Sequence, residues 1–302
     1  MKKSLGLLCP RTQVSYQLVE QLQKKAVPVT QACRVLQVSQ SGYYTARMRS
    51  RQAPRICADS VHLKAIFAAS GRTYGSRRLC AALQKQGVIT GRHRVRTLMR
   101  ANGLHPVWRR KFVHTTDSRH ALAVSPNVLA RQFEQSLPDR AWVCDLTYIR
   151  TRSGWLYLAA VLDLHSRKIV GWAMAPEMPA ALVCAALQMA VAQRNPAKGL
   201  LVHSDRGTQY ASHAHQALLT THGLVGSMSR KGNCWDNAVM ERFFLSLKVE
   251  RVWQRDYANH GEAIHDVADY IVNFYNSVRL HSKLGNLSPN AFEHKSATQP
   301  TY

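Results

Sequence analysis

The sequence predicts an all-α, strongly basic first half followed by an α/β domain built on a mixed sheet. Three observations lead there. Helix-spaced apolar residues, punctuated by glycines, run up to residue 104. From residue 141 the pattern changes to three β-rich runs joined by short turns, and then to alternating helix and strand. The charge divides in the same place: residues 1–140 hold 25 Lys/Arg against 5 Asp/Glu, whereas residues 141–302 hold 16 against 12.

The elements follow in order. In residues 14–50, Ala32, Val35 and Leu36 have helical spacing and Ser39–Gly42 reads as a turn, which gives a helix-turn-helix or a plain helical hairpin. The polar, Pro-containing run RQAPRICA closes this N-terminal segment (1–58) as a linker. Residues 59–104 read as three helices, VHLKAIFAAS, YGSRRLCAALQKQG and GRHRVRTLMRANG, the last two stopped at Gly87 and Gly103. In the third, Val95, Leu98 and Met99 share one face, and Arg92, Arg96 and Arg100 form a stripe on another. Such a stripe suits a recognition helix in a DNA groove; a solvated charged face is the plainer reading. Residues 105–140 read as an extended basic linker whose Arg109-Arg110-Lys111 run could track phosphates.

AWVCDLTYIR, WLYLAAVLDLHS and KIVGWAMA then form an antiparallel meander. A helix stopped at Pro196, the strand LLVHSD, a helix near 209–222, the short strand LVGSMS and the helix CWDNAVMERFFLSLKVERV follow, with a last helix near 260–277. This order is that of a ribonuclease H-like fold, over residues 141–255, with 256–302 as a C-terminal helix and tail completing it.

The net charge of +24 calls for a polyanionic partner, nucleic acid first, although a solvated basic surface or a ribosomal-type binder has the same balance. Seven scattered cysteines without a CxxC pair fit a reducing cytosol and exclude a disulfide framework or structural zinc. No apolar run approaches the roughly 20 residues of a membrane span. The apolar patch after Met1 is too short for a secretory signal.

Against this basic background three carboxylates stand out. Asp145 lies inside the first strand, Asp205 ends the fourth, and Glu241, thirty-five residues beyond Asp205, lies within a helix. Their plain readings are an outward strand residue, a turn or helix cap, and an ordinary surface residue. Together, as hard oxygen ligands, they could hold two Mg²⁺ ions, or Mn²⁺, for phosphoryl transfer on DNA. Lys248, two turns beyond Glu241, shares its face and could meet a phosphate. Asp163 competes with Asp145, but a simple hairpin puts it at the far end, in a structural or DNA-backbone role. Asp236 reads as a cap, and Asn237 and Trp235 as candidate DNA contacts in a loop before the helix. Trp235 aside, Phe243, Phe244 and Trp253 read as core.

WVCDLTYIRTRSGWLYLAAVLDLHSRKIVGW, LVHSDRGTQYAS, SMSRKGNCWDNAVMERFFLSLKVE and YIVNFYNSVRLHSKLGNLSPNAF together resemble the second-frame transposases of the family typified by insertion sequence three, whose core is shared with retroviral integrases. The resemblance covers about residues 60–295. TYGSRRLCAALQKQG with RVRTLMRANGL is similar to the helix-turn-helix that precedes that core, and VTQACRVLQVSQSGYY to its upstream segment. It implies that Asp145, Asp205 and Glu241 are the catalytic and metal-holding triad and that Lys248 is the associated basic residue. It also implies a cytoplasmic, nucleoid-associated enzyme that cleaves and joins strands at the element's terminal inverted repeats and target DNA, by copy-out, paste-in movement. The implied assembly is a homodimer or larger on DNA, with a possible fusion to an upstream-frame product. It implies a DNA-proximal helix end for Tyr275, Asn276, Arg279 and His281, where packing is the alternative. A non-catalytic DNA-binding regulator and a ribonuclease H-like nuclease are the competing functions.

Overall fold

The computed structural model describes residues 12–51, 58–107, 124–230 and 234–298. They fall into two compact units, residues 1–61 and 62–302.

In the first unit, helices α1 (Thr12–Lys24), α2 (Val29–Val35) and α3 (Gln40–Arg51) enclose Val19, Val29, Ala32, Cys33 and Tyr43. The turn lies earlier than the sequence predicts, at 36–39, where Gln37 takes a left-handed conformation (φ 53°). Gly42 is inside α3. It serves close approach instead of turning, because a Cβ there would collide with the Tyr16 hydroxyl. Val35, expected on the apolar face, is 74% exposed.

In the second unit, α4 (Ala58–Ala69) from residue 62 on, α5 (Ser76–Lys85) and α6 (Arg92–Ala101) pack around Leu63, Phe67, Leu79, Leu83, Val95 and Met99. Gly87 and Gly103 follow α5 and α6 with positive φ, as helix-ending glycines should. The Arg109-Arg110-Lys111 run lies outside the described residues. Residues 124–140 are irregular but no free linker. Leu129 is buried in the core, and the Val128 and Leu129 amides donate to Ser227 Oγ at 3.0 and 3.2 Å.

Five strands follow: β1 (Ala141–Thr151), β2 (Gly154–Asp163), β3 (Ile169–Ala175), β4 (Leu201–Ser204) and β5 (Val225–Met228). Their order is β3-β2-β1-β4-β5; β1, β2 and β3 are antiparallel neighbours, and β4 and β5 add in parallel to β1. This is the expected ribonuclease H-like sheet. One face packs on α7 (Ala180–Arg194), α8 (Thr208–Ala211) and α9 (His213–Thr221). The other packs on α10 (Ala238–Glu250) and α11 (His260–Asp269), which continues as a wider π-type helix over Tyr270–Asn276. The single helix expected near 209–222 is broken at Ser212, whose Oγ caps α9 by accepting from the His215 amide. A terminal helix, α12 (Pro289–Thr298), was not foreseen, although a proline at its first position is a helix-start signal. No described helix is long and apolar enough to cross a membrane.

Candidate active site

Parallel pairing of β1 and β4 fixes two of the three carboxylates. Val143 lies beside His203, so Asp145 and Asp205 each follow two residues on, at the same end of the sheet. Antiparallel pairing places Asp163 opposite Trp142, three residues back along β1, or about 10 Å away. Asp163 is completely buried. It accepts from the Asp139 and Ser166 amides and the Ser166 hydroxyl at 2.8–2.9 Å. It therefore closes the β2–β3 turn, and the DNA-backbone role considered for it is ruled out by burial.

Asn237 brings the third carboxylate in. Its amide donates to the Cys144 carbonyl at 3.2 Å, tying the start of α10 to β1 beside Asp145, one turn before Glu241. Asn237 is itself 5% exposed, so the DNA contact expected of it is replaced by positioning. Trp235, by contrast, is 69% exposed. Asp236 is fully buried and accepts from Arg230, Arg131 and Asn127 at 2.8–3.1 Å. The Arg230 hydrogen bonds, joined by those of Arg131, hold its carboxyl far below the usual range. It anchors both ends of the loop before α10 instead of only capping a helix.

The electrostatics tie the three carboxylates together. Burial raises the Asp145 carboxyl well above its ordinary value, the charge of Asp205 raises it further and that of Glu241 adds less; the Leu146 amide and Lys248 oppose them. Asp205 Oδ1 accepts from the Gly207 amide at 2.9 Å, and a Cβ on Gly207 would crowd that same oxygen at 3.0 Å. Among the described residues, no three His, Cys, Asp or Glu side chains are gathered as a metal-holding group. Asp205, just past the end of β4, and Glu241, on α10, both act on the Asp145 carboxyl.

Lys248 is 5% exposed and sets its ammonium 4.4 Å from the centre of the Tyr148 ring. Burial pulls that ammonium's pKa down, and Asp145 pulls it back up. Tyr148 meets Trp155 edge-on at 5.1 Å, and Arg150 lies 5.2 Å from the Trp155 ring. Sequence reasoning missed this aromatic and cationic row, whose signal was TYIR facing GWLY across a two-residue turn.

Away from the carboxylates, Arg92, Arg96 and Arg100 are all exposed on α6, as the stripe predicted. The YNSVRLH segment packs inward through Tyr275, Asn276 and Arg279, while Ser277 and Val278 are exposed. The Asn276 side chain bonds both the amide and the carbonyl of Ile169, and Arg279 is buried against Glu250 at 2.7 Å. Burial, then the charge of Arg279, drives His281 down to about 2. The packing alternative describes these residues.

Comparison with known proteins adds the lineage. Residues 135–234 and 222–289 match integrase core domain families, and residues 57–112 match an HTH-like domain. The transposase InsF for insertion sequence IS3A of Escherichia coli (strain K12) is 45% identical over 268 residues, covering 87% of this chain and 93% of the relative. The insertion element IS600 uncharacterized 31 kDa protein of Shigella sonnei is 42% identical over 266 residues, covering 87% and 97%. Among solved structures, a simian T-cell lymphotropic virus intasome in complex with PP2A regulatory subunit B56 gamma matches with a TM-score of 0.47, at 14% identity, over 74% of this chain and 73% of that one. The HTLV-2 integrase catalytic core domain in complex with magnesium matches with a TM-score of 0.41, at 15% identity, over 53% and 99%. With integrase core matches over residues 135–289, an HTH-like domain before them and 45% identity to InsF across 87% of its own length, the chain belongs to the insertion-sequence transposases typified by IS3.

Proposed function

We propose that Asp145, Asp205 and Glu241 form the catalytic site of a DNA transposase that cuts and joins strands at the terminal inverted repeats of its element. The observation that carries this reading is the convergence of Asp145, Asp205 and Glu241 on one end of the sheet through the β1–β4 register and the Asn237 tie, where Asp205 and Glu241 both raise the cost of charging Asp145. An all-oxygen, like-charged donor set fits hard divalent cations, Mg²⁺ with Mn²⁺ as substitute, two ions in all. When bound, such cations supply Lewis acidity to an in-line displacement at phosphorus.

The chain's own side chains do the rest. Asp145, on the rigid middle strand, sets the reference position. Asp205 is held through the Gly207 amide, and Glu241 is delivered by a helix that Asn237 pins to β1. Lys248 presents a part-desolvated cation where a scissile-strand phosphate passes. The attacking oxygen comes from water or a DNA 3′-hydroxyl, so no Ser or Tyr nucleophile is required. The Arg92, Arg96 and Arg100 stripe holds an element end, and exposed Trp235 touches the strand entering the site. Two ends must meet, so the working form is a homodimer or larger on DNA, joined where required by the upstream-frame fusion product.

Purified protein incubated with labelled element ends and Mg²⁺ tests this reading. Nicked and joined products support it. Binding without any joining, by this chain and by its fusion to the upstream frame, leaves a DNA-binding regulator; hydrolysis without joining leaves a nuclease.

A further inference from the structure

Helix α10 has a second flank. Beside the carboxylate site opens a cleft of about 910 Å³, lined among others by Arg78, Arg131, Arg167, Arg242, Arg279 and Lys283. Three carboxylates answer these six cations: Glu250 takes Arg78 and Arg279, Asp236 takes Arg131, and Glu134 takes Lys283. The cleft therefore keeps an excess of positive charge, and two of its cations form no ion pair among the described residues. Arg242 is exposed and has no acidic partner among the described residues. Arg167 donates through Nη2 to the Phe133 carbonyl at 2.8 Å, but its Nη1 is buried without a hydrogen-bond partner. Arg167 thus brings an unmet donor to the wall of the cleft.

We infer that this cleft binds the phosphodiester backbone of a DNA segment distinct from the one at the carboxylate site, with Arg242 and Arg167 as its phosphate contacts. The inference rests on the transposase reading. Glu241 and Arg242 are neighbours on one helix, about 100° apart around its axis, so α10 turns an acidic face to one segment and a basic face to the other. The cleft is larger than a single phosphate needs. It borders α5 through Arg78, so a backbone leaving the three-helix unit passes directly into it.

The test uses the full chain with Arg242→Ala and Arg242→Glu, an exposed position where folding is not at stake. Duplex affinity is measured across a salt series, and strand joining is measured on the same samples. We expect Arg242→Glu to bind about tenfold more weakly and Arg242→Ala to lower the salt slope by about one, as loss of one phosphate contact requires. A thiol duplex should also crosslink to Arg242→Cys. Wild-type affinity and slope in both variants, with joining intact, overturn the cleft and leave the catalytic reading standing. Weakened binding in a protein that never joins strands upholds the cleft and removes the catalytic reading. Thermal protection of the wild type by inorganic phosphate, without any effect of Arg242→Glu on duplex binding, makes the cleft a small-anion site and also overturns it.

Discussion

Asp145 and Asp163 are two aspartates on adjacent strands, each following an apolar run, and their neighbours separate them. Asp163 has every oxygen occupied by backbone and hydroxyl donors inside a turn, whereas Asp145 meets other carboxylates. The sequence allowed that distinction through strand register alone. Asn237 was legible only as a polar residue near Glu241; its bond to Cys144, 93 positions away, depends on tertiary packing. His215 gives a residue-scale prediction. Burial draws its pKa down to about 4 from 6.5. The unfolded chain takes up a proton near 6.5 and the folded chain only near 4, so the stability it contributes is whole above pH 6.5. That stability falls as pH drops through this window, by about 1.4 kcal/mol per pH unit. Denaturant titrations between pH 7 and 4 should show a shallower decline for His215→Gln than for the wild type; parallel declines would remove His215 as a source.

At the scale of elements, β3 and α7 touch through Gly171. A Cβ there would meet the Ala186 carbonyl, the Ala190 amide nitrogen at 2.7 Å and the Ala190 Cβ at 2.8 Å. Backbone cannot yield cheaply, so Gly171→Ala should cost about 1–3 kcal/mol and lower the melting temperature. An unchanged melting curve would mean that α7 shifts freely. On α6, Arg96→Ala should weaken binding to element ends and reduce the salt slope by about one; an unchanged slope would remove this helix from the interface. Element order and the arginine stripe were readable because periodicity and Gly stops are local signals. The turn in the first unit was misplaced because Gly42 looks like a turn residue, while its reason is Tyr16, 26 positions earlier. Likewise, residues 124–140 carry no periodic pattern, yet they are held by Ser227 and Asp236 from distant parts of the chain.

Across the whole molecule, the charge split has a structural counterpart. Glu250, at the end of α10, gathers Arg78 of α5, Arg279 of the C-terminal segment and the Tyr270 hydroxyl at 2.7–3.4 Å. Burial alone would raise its carboxyl, but the Arg279 and Tyr270 hydrogen bonds and the Arg78 charge hold it below the ordinary range. One carboxylate thus locks the basic three-helix unit to the helix that carries Glu241. Glu250→Gln would leave Arg279 buried without its counter-charge and should cost about 3–5 kcal/mol in denaturant unfolding. Cutting the exposed Arg152–Asp256 pair instead should change little, and equal losses would contradict the hub. The most direct measurement of the central claim is strand joining at labelled element ends with Mg²⁺, run beside duplex binding, for the wild type, Asp145→Asn, Asp205→Asn and Glu241→Gln. Joining by the wild type, its loss in all three variants and binding retained throughout are the expected results; joining that survives in any one variant would contradict a catalytic role for the triad.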